Sequence, residues 1–133
     1  MSIVNKKAAF NHTLLEPFEV GVVLSGPDVK AARAGKVNLT ESYAKFFEGE
    51  LKLVNASMDG DTRMRKLLMH KRELLSLQTQ IKAKNLVLIP TKMYNTGRVF
   101  KVEVTLAKPK KQFEKRASIK QKDIDRDLER ELL

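Results

Sequence analysis

The sequence contains no cysteine and no tryptophan. Without thiols there can be no disulfide, no thiolate metal ligand and no cysteine nucleophile. The two histidines, His12 and His70, stand in no metal-ligand spacing, and neither a nucleophile elbow nor a glycine-rich phosphate loop is present. His70 lies beside Lys71 and Arg72, a setting that suits a solvated or polyanion-facing ring better than a catalytic base. So little of an active site is in view that the chain reads as a non-enzyme, with no catalytic residue, metal or cofactor expected. No apolar run reaches membrane-spanning length, and no basic helix has a strongly apolar face, so no membrane contact is expected either. Residues 1–7 are charged and lack an apolar leader, which makes the cytoplasm the default location.

What is abundant is positive charge. The 133 residues carry 26 Lys and Arg against 16 Asp and Glu, a formal +10, so polyanions are attracted before any contact forms. The hydrophobic share of 42% is too high for full disorder, and the length suits one compact core. The expectation is a soluble monomer with one folded domain and a tail, and nucleic acid is the leading partner class.

Residues 18–24 put Phe18, Val20, Val22 and Leu24 on one face and Glu19, Gly21 and Val23 on the other, the period of a half-buried strand. At 25–28, Ser-Gly-Pro-Asp offers a cap, a first-turn proline and an acid at a helix start; the short helix runs to about Ala34, and Gly35 suits a left-handed stop. Residues 36–39 and 42–47 read as extended, and 51–54 returns after a turn at 48–50 to make a hairpin. A polar loop over 55–62 leads to 63–68, and then to a longer helix over 71–84 whose Leu74, Leu77 and Ile81 form one apolar stripe. Residues 86–89 and 99–106 look like a second hairpin. Its second strand turns Phe100, Val102, Val104 and Leu106 inward and Lys101, Glu103 and Thr105 outward. The pattern predicts a mainly β fold with helices, an OB-type small β-barrel flanked by short helices over 1–107 and a basic tail over 108–133.

Basic side chains cluster. Lys30 and Arg33 share a helix face, and Arg63, Arg65, Lys66, Lys71 and Arg72 fall within ten positions. Any one lysine is more often a solvated charge than a contact, but together they suit tracking of a phosphate backbone, with arginines able to bind bidentately or stack. Glu19, on the outer face of its strand, could accept a hydrogen bond from a base amino group or a ribose hydroxyl. Aromatics make up only 6%; Phe18 and Phe100 belong to the core, while Tyr43, Phe10 and especially Phe113 are candidates for stacking. From Lys108 to Lys122 the chain holds seven Lys and Arg and one acid, Glu114. Residues 123–133 follow with a narrow stripe of Ile124, Leu128 and Leu132, marginal as an isolated helix. This tail is expected to be frayed when free and to become helical on a partner.

Three blocks in order then carry a resemblance. Asn5-Lys6-Lys7-Ala8 opens the chain, residues 26–43 form the first and most distinctive block, 65–74 the second and 106–116 the third. In these the chain resembles the SsrA-binding protein family over nearly its whole length. The resemblance implies an OB-type barrel that binds the transfer-RNA-like part of transfer-messenger RNA, and it places Asn5, Glu19, Leu68 and Lys101 at or near that RNA. Lys6, Lys7, Lys36, Asn38 and His70 are assigned to the same surface. It further implies that the tail enters the decoding centre and empty messenger channel of a stalled ribosome, with Phe113, Lys115 and Arg116 on ribosomal RNA and Lys108, Lys110, Lys111, Lys120 and Lys122 supplying charge. Departures are a short 55–62 loop, Pro109 where glycine is common, and Phe113 and Glu114 in place of the usual residues. The competing reading, from composition, is a structural ribosomal protein or a general RNA-binding OB protein.

Overall fold

The computed structural model describes residues 2–110; the tail residues Lys111, Phe113, Lys115, Arg116, Lys120 and Lys122, and the stripe over 124–132, lie outside the described residues. Twelve elements follow one another: β1 (Ser2–Val4), α1 (Ala8–Asn11), β2 (His12–Val22), α2 (Gly26–Arg33), β3 (Val37–Asn38), β4 (Tyr43–Phe47), β5 (Glu50–Val54), β6 (Ser57–Met58), β7 (Arg65–Leu68), α3 (Lys71–Lys84), β8 (Val87–Thr96) and β9 (Val99–Pro109). The fold is mainly β, with short helices.

Seven strands form one antiparallel sheet in the order β1-β8-β4-β5-β7-β2-β9, and β8 also pairs with β9. That added pairing closes a circuit from β8 through β4, β5, β7, β2 and β9 back to β8, and β1 lies outside it on β8. The circuit is well knit along β2–β9 and β8–β9. Between β4 and β8 it is held by one register pair, Ala44 with Leu88.

Inside lie the side chains that alternation placed there: Val20 from β2, Leu51 and Leu53 from β5, Leu67 from β7, and Phe100, Val102, Val104 and Leu106 from β9. Leu77 of α3 is fully buried, with Leu74 and Ile81 packed against the same core, so the helical stripe seats on the sheet as its spacing demands. Helix α2 begins with a capping box: Ser25 Oγ accepts from the Asp28 amide, and the Asp28 carboxylate accepts from the Ser25 amide. Gly35 follows with a φ of 74°, the left-handed geometry that ends the helix without a Cβ clash.

Four details depart from the sequence reading. Strand β2 begins at His12, six residues before its alternating part; the register shifts between Leu14 and Pro17, an irregularity that accommodates a residue lacking an N–H. The 55–62 loop contains β6, which pairs with β3 in a separate two-stranded sheet. Strand β8 runs through Pro90 to Thr96, with its own register shift between Pro90 and Lys92. Thr105, expected outside, is buried: a second small apolar cluster of Ala8, Ile89 and Ala107 covers that side, and the Thr105 hydroxyl lies 3.0 Å from that of Thr91.

Candidate nucleic-acid interface

On the outer face of the sheet, one cross-strand row can be followed through four strands. Tyr94 of β8 pairs with Lys101 of β9, Lys101 with Gly21 of β2, and Gly21 with Leu68 of β7. Glu19, two residues before Gly21, points to the same face. Lys101 Nζ donates to Glu19 Oε1 at 2.7 Å, and the Tyr94 hydroxyl donates to Glu19 Oε2. Each carboxylate oxygen therefore has its own donor. The bond from Lys101 chiefly, then that from Tyr94, holds the Glu19 carboxyl below its ordinary value, and the carboxylate in turn pushes the Tyr94 hydroxyl up to about 12. Lys92 Nζ stands 5.4 Å from the centre of the Tyr94 ring, so the aromatic face is occupied by a cation as well.

Gly21 leaves a notch in this row. A Cβ there would lie 3.4 Å from that of Leu68, so the missing side chain leaves room for Leu68, which is itself half exposed. Beside the notch, Glu19, Leu68, Met69, His70 and Glu73 line a cleft of about 410 Å³. His70 is the N-cap of α3, and exposed Lys71 and Arg72 open the helix. Cations at a helix N-terminus face the positive end of the peptide dipoles, an arrangement that costs the helix and that a bound polyanion would relieve. Lys101, Glu19, Leu68, His70, Lys71 and Arg72 thus meet around one exposed surface. Tyr94 belongs with them, and the sequence reading passed over it because β8 was expected to end at Ile89. Had the strand been carried on to its turn at Gly97, the cross-strand partner of Lys101 would have been legible.

Other expected contacts fall elsewhere. Arg65 is a correction: its side chain is 2% exposed and all its N–H groups are spent inside the fold. Nη2 donates to Asp28 Oδ1 at 3.0 Å and to the Asp61 carbonyl at 2.9 Å, Nη1 to the carbonyls of Ala56 and Arg63 at 2.7 and 2.8 Å, and Nε to Asp28 Oδ2 at 3.4 Å. The count of basic residues in one stretch could not separate this arginine from its neighbours; the inward turn of alternate residues on β7 does, since Arg65 and Leu67 are buried while Lys66 and Leu68 are exposed. Burial raises the pKa of Asp28, but the bonds from Arg65, the Ser25 amide and Arg63 outweigh it and bring the carboxyl down to about 2. Arg63 bridges the same Asp28 at 3.0 Å from a half-exposed position.

Asn5 is also a correction, since it is buried. Its Nδ2 donates to the carbonyls of Leu39 and Pro90 at 3.0 and 2.9 Å, tying the N-terminal segment to the body, so it can serve an RNA surface only by positioning. Lys6 and Lys7 next to it are exposed. Lys30 and Arg33 are exposed on α2; Lys36 lies 3.9 Å from Asp59, and Lys66 is 3.3 Å from Glu50. Asn38 Oδ1 accepts from the Thr40 amide at 2.8 Å. Lys108 belongs to β9, and the Lys110 amide donates to the Asn11 carbonyl at 3.1 Å, so both backbones are held on the body. Among the described residues no group of acids and histidines is placed to hold a metal, and no helix is long and apolar enough to cross a membrane.

The chain matches the family model described as SmpB protein over residues 2–133. It belongs to the SmpB family. Curated relatives named SsrA-binding protein are similar over most of their length: that of Dehalococcoides mccartyi is 41% identical over 96% of this chain and 80% of the relative, and that of Persephonella marina is 40% identical over 93% and 88%. The protein of Limosilactobacillus fermentum is 41% identical over 95% and 87%. Among solved structures, a chain from one described as "tmRNA-SmpB: a journey to the center of the bacterial ribosome" is 39% identical, with a TM-score of 0.66, covering 84% of this chain and 85% of that one.

Proposed function

We propose that this SmpB-family chain binds the transfer-RNA-like part of transfer-messenger RNA through the row Tyr94–Lys101–Gly21–Leu68, with Glu19 above it, and brings that RNA to stalled ribosomes. The observation that carries the reading is Glu19. An exposed carboxylate in a protein of net charge +10 is an odd component for a surface that attracts phosphates, yet here both its oxygens are oriented by donors. A fixed acceptor beside movable cations can tell a base amino group or ribose hydroxyl from phosphate. Relatives named SsrA-binding protein and the solved tmRNA–SmpB structure support the assignment.

In this reading Lys71, Arg72, Lys101 and the exposed lysines supply phosphate contacts, Leu68 packs on an unstacked or minor-groove surface, and Glu19 supplies selectivity. The part beyond Pro109 acts in the decoding centre and the empty messenger channel, where Phe113, Lys115 and Arg116 meet ribosomal RNA. No bond is made or broken by the protein. It places an aminoacylated RNA where no codon remains.

Two variants separate the parts. Glu19→Ala should weaken transfer-messenger RNA selectively, whereas deletion of residues 113–133 should leave RNA binding intact and abolish rescue of ribosomes stalled on truncated messages. Equal losses of RNA binding from the two changes would overturn this division.

A further inference from the structure

The seam where β4 and β8 share their one register pair is open on the outside and forms a groove of about 520 Å³. Its walls are mainly apolar: Tyr43 and Ala44 of β4, Ile81 near the end of α3, and Leu86, Val87 and Leu88 leading into β8. Lys45 lines it too, and exposed Lys82 and Lys84 flank Ile81 in the last turn of α3; Glu41 is the one acid among the lining residues. The groove is thus an apolar slot with a basic rim.

The chain leaves the body beside this slot. Pro109 pairs with His12, a lining residue, and Ala107 pairs with Val87, another. Residues 111–122 can reach about 40 Å when extended, more than enough to return across a domain of this size. Residues 123–133 then bring Ile124, Leu128 and Leu132 at helical spacing, with five acids (Asp123, Asp125, Asp127, Glu129 and Glu131) against Arg126 and Arg130. This is the acidic stretch of a basic chain, and its apolar stripe spans about 12 Å as a helix. An isolated helix so short is marginal and needs a surface to bury that stripe.

We propose that residues 123–133 dock as an amphipathic helix in the β4–β8 groove of the same molecule when no ribosome is bound, with the acids toward Lys45, Lys82 and Lys84. This replaces the frayed free end expected from composition with a parked one. Parking and entry into a messenger channel would be mutually exclusive, so the ribosome would have to displace the helix before the tail could act.

The absence of cysteine makes a single spin label simple to place. The full-length chain carrying Arg126→Cys, off the apolar stripe, would be nitroxide-labelled and its amide signals compared with those of the reduced label. The amides of Ala44, Lys45 and Val87 should broaden at least fivefold more than those of Gly21 and Leu68. With Ile124→Ser, Leu128→Ser and Leu132→Ser added, that preference should vanish while the body's signals stay in place. Uniform broadening, or a preference that survives the three serines, would overturn the proposal. So would equal broadening in a mixture of labelled protein with isotope-enriched unlabelled protein, which would make the occupant a second copy. No RNA or ribosome is present in this experiment, so its failure would leave the RNA-binding reading standing.

Discussion

At the scale of single residues, charge has two different employments here. Glu19 and Lys101 face solvent and hold one another in a fixed geometry; Asp28 and Arg65 do the same inside, where neither can reach a partner molecule. Glu19→Gln keeps the shape but removes the charge that orients Lys101. It should weaken cognate RNA by about tenfold, the scale of one charge-assisted hydrogen bond, in an equilibrium binding assay at fixed salt. An unchanged affinity would remove Glu19 from the interface. Arg65→Met should instead cost about 3–5 kcal/mol of stability, because it leaves Asp28 buried and unpaired, and urea unfolding would measure it. Since the folded-state pKa of Asp28 is depressed to about 2 from an ordinary 3.8, its contribution is complete above about pH 4 and is lost as the pH falls toward 2. Acid titration of the Asp28→Asn variant should accordingly show a weaker loss of stability over that window than the parent does. The outward placement of Glu19 and Lys101 was legible from alternation alone. The inward placement of Arg65 was open to the same rule, but the density of positive charge around it obscured the pattern.

Elements tell a second part of the story. Helix α3 runs over the residues expected from its stripe, and α2 starts at its expected cap, because both depend on signals within one turn: spacing of leucines, a capping box, a glycine stop. The strands were harder to bound. Pro17 and Pro90 sit inside long strands beside register shifts, and a proline normally argues for a strand end. The pairing of β3 with β6 joins segments about twenty residues apart and has no local signature. For α3, Leu77→Ala should destabilise the fold by about 2–5 kcal/mol, the cost of a cavity beneath a fully buried leucine, as thermal unfolding would show. At the helix start the expected trade runs the other way. Lys71→Glu should stabilise α3 by about 0.3–1 kcal/mol through the peptide dipoles while weakening RNA binding. A loss of both stability and affinity would mean that Lys71 serves the fold.

For the molecule as a whole, the net charge of +10 and a single cross-strand site divide the work between attraction and selection. Attraction should weaken steeply with salt; six to ten phosphate contacts on duplex DNA lose about 10³–10⁵ in affinity between 50 and 200 mM, and RNA should follow the same trend with its own slope. Selection rests on the row through Tyr94, Lys101, Gly21 and Leu68, which four strands far apart in the sequence must align before it exists. That explains why composition pointed to the partner class, while the site's centre needed the sheet register or the family resemblance. The most direct test is competition binding of the purified protein to transfer-messenger RNA against transfer RNA and an unrelated hairpin at one near-physiological salt. The account predicts a clear preference for transfer-messenger RNA that Glu19→Gln reduces; equal binding to all three RNAs would contradict it and leave only a basic RNA binder.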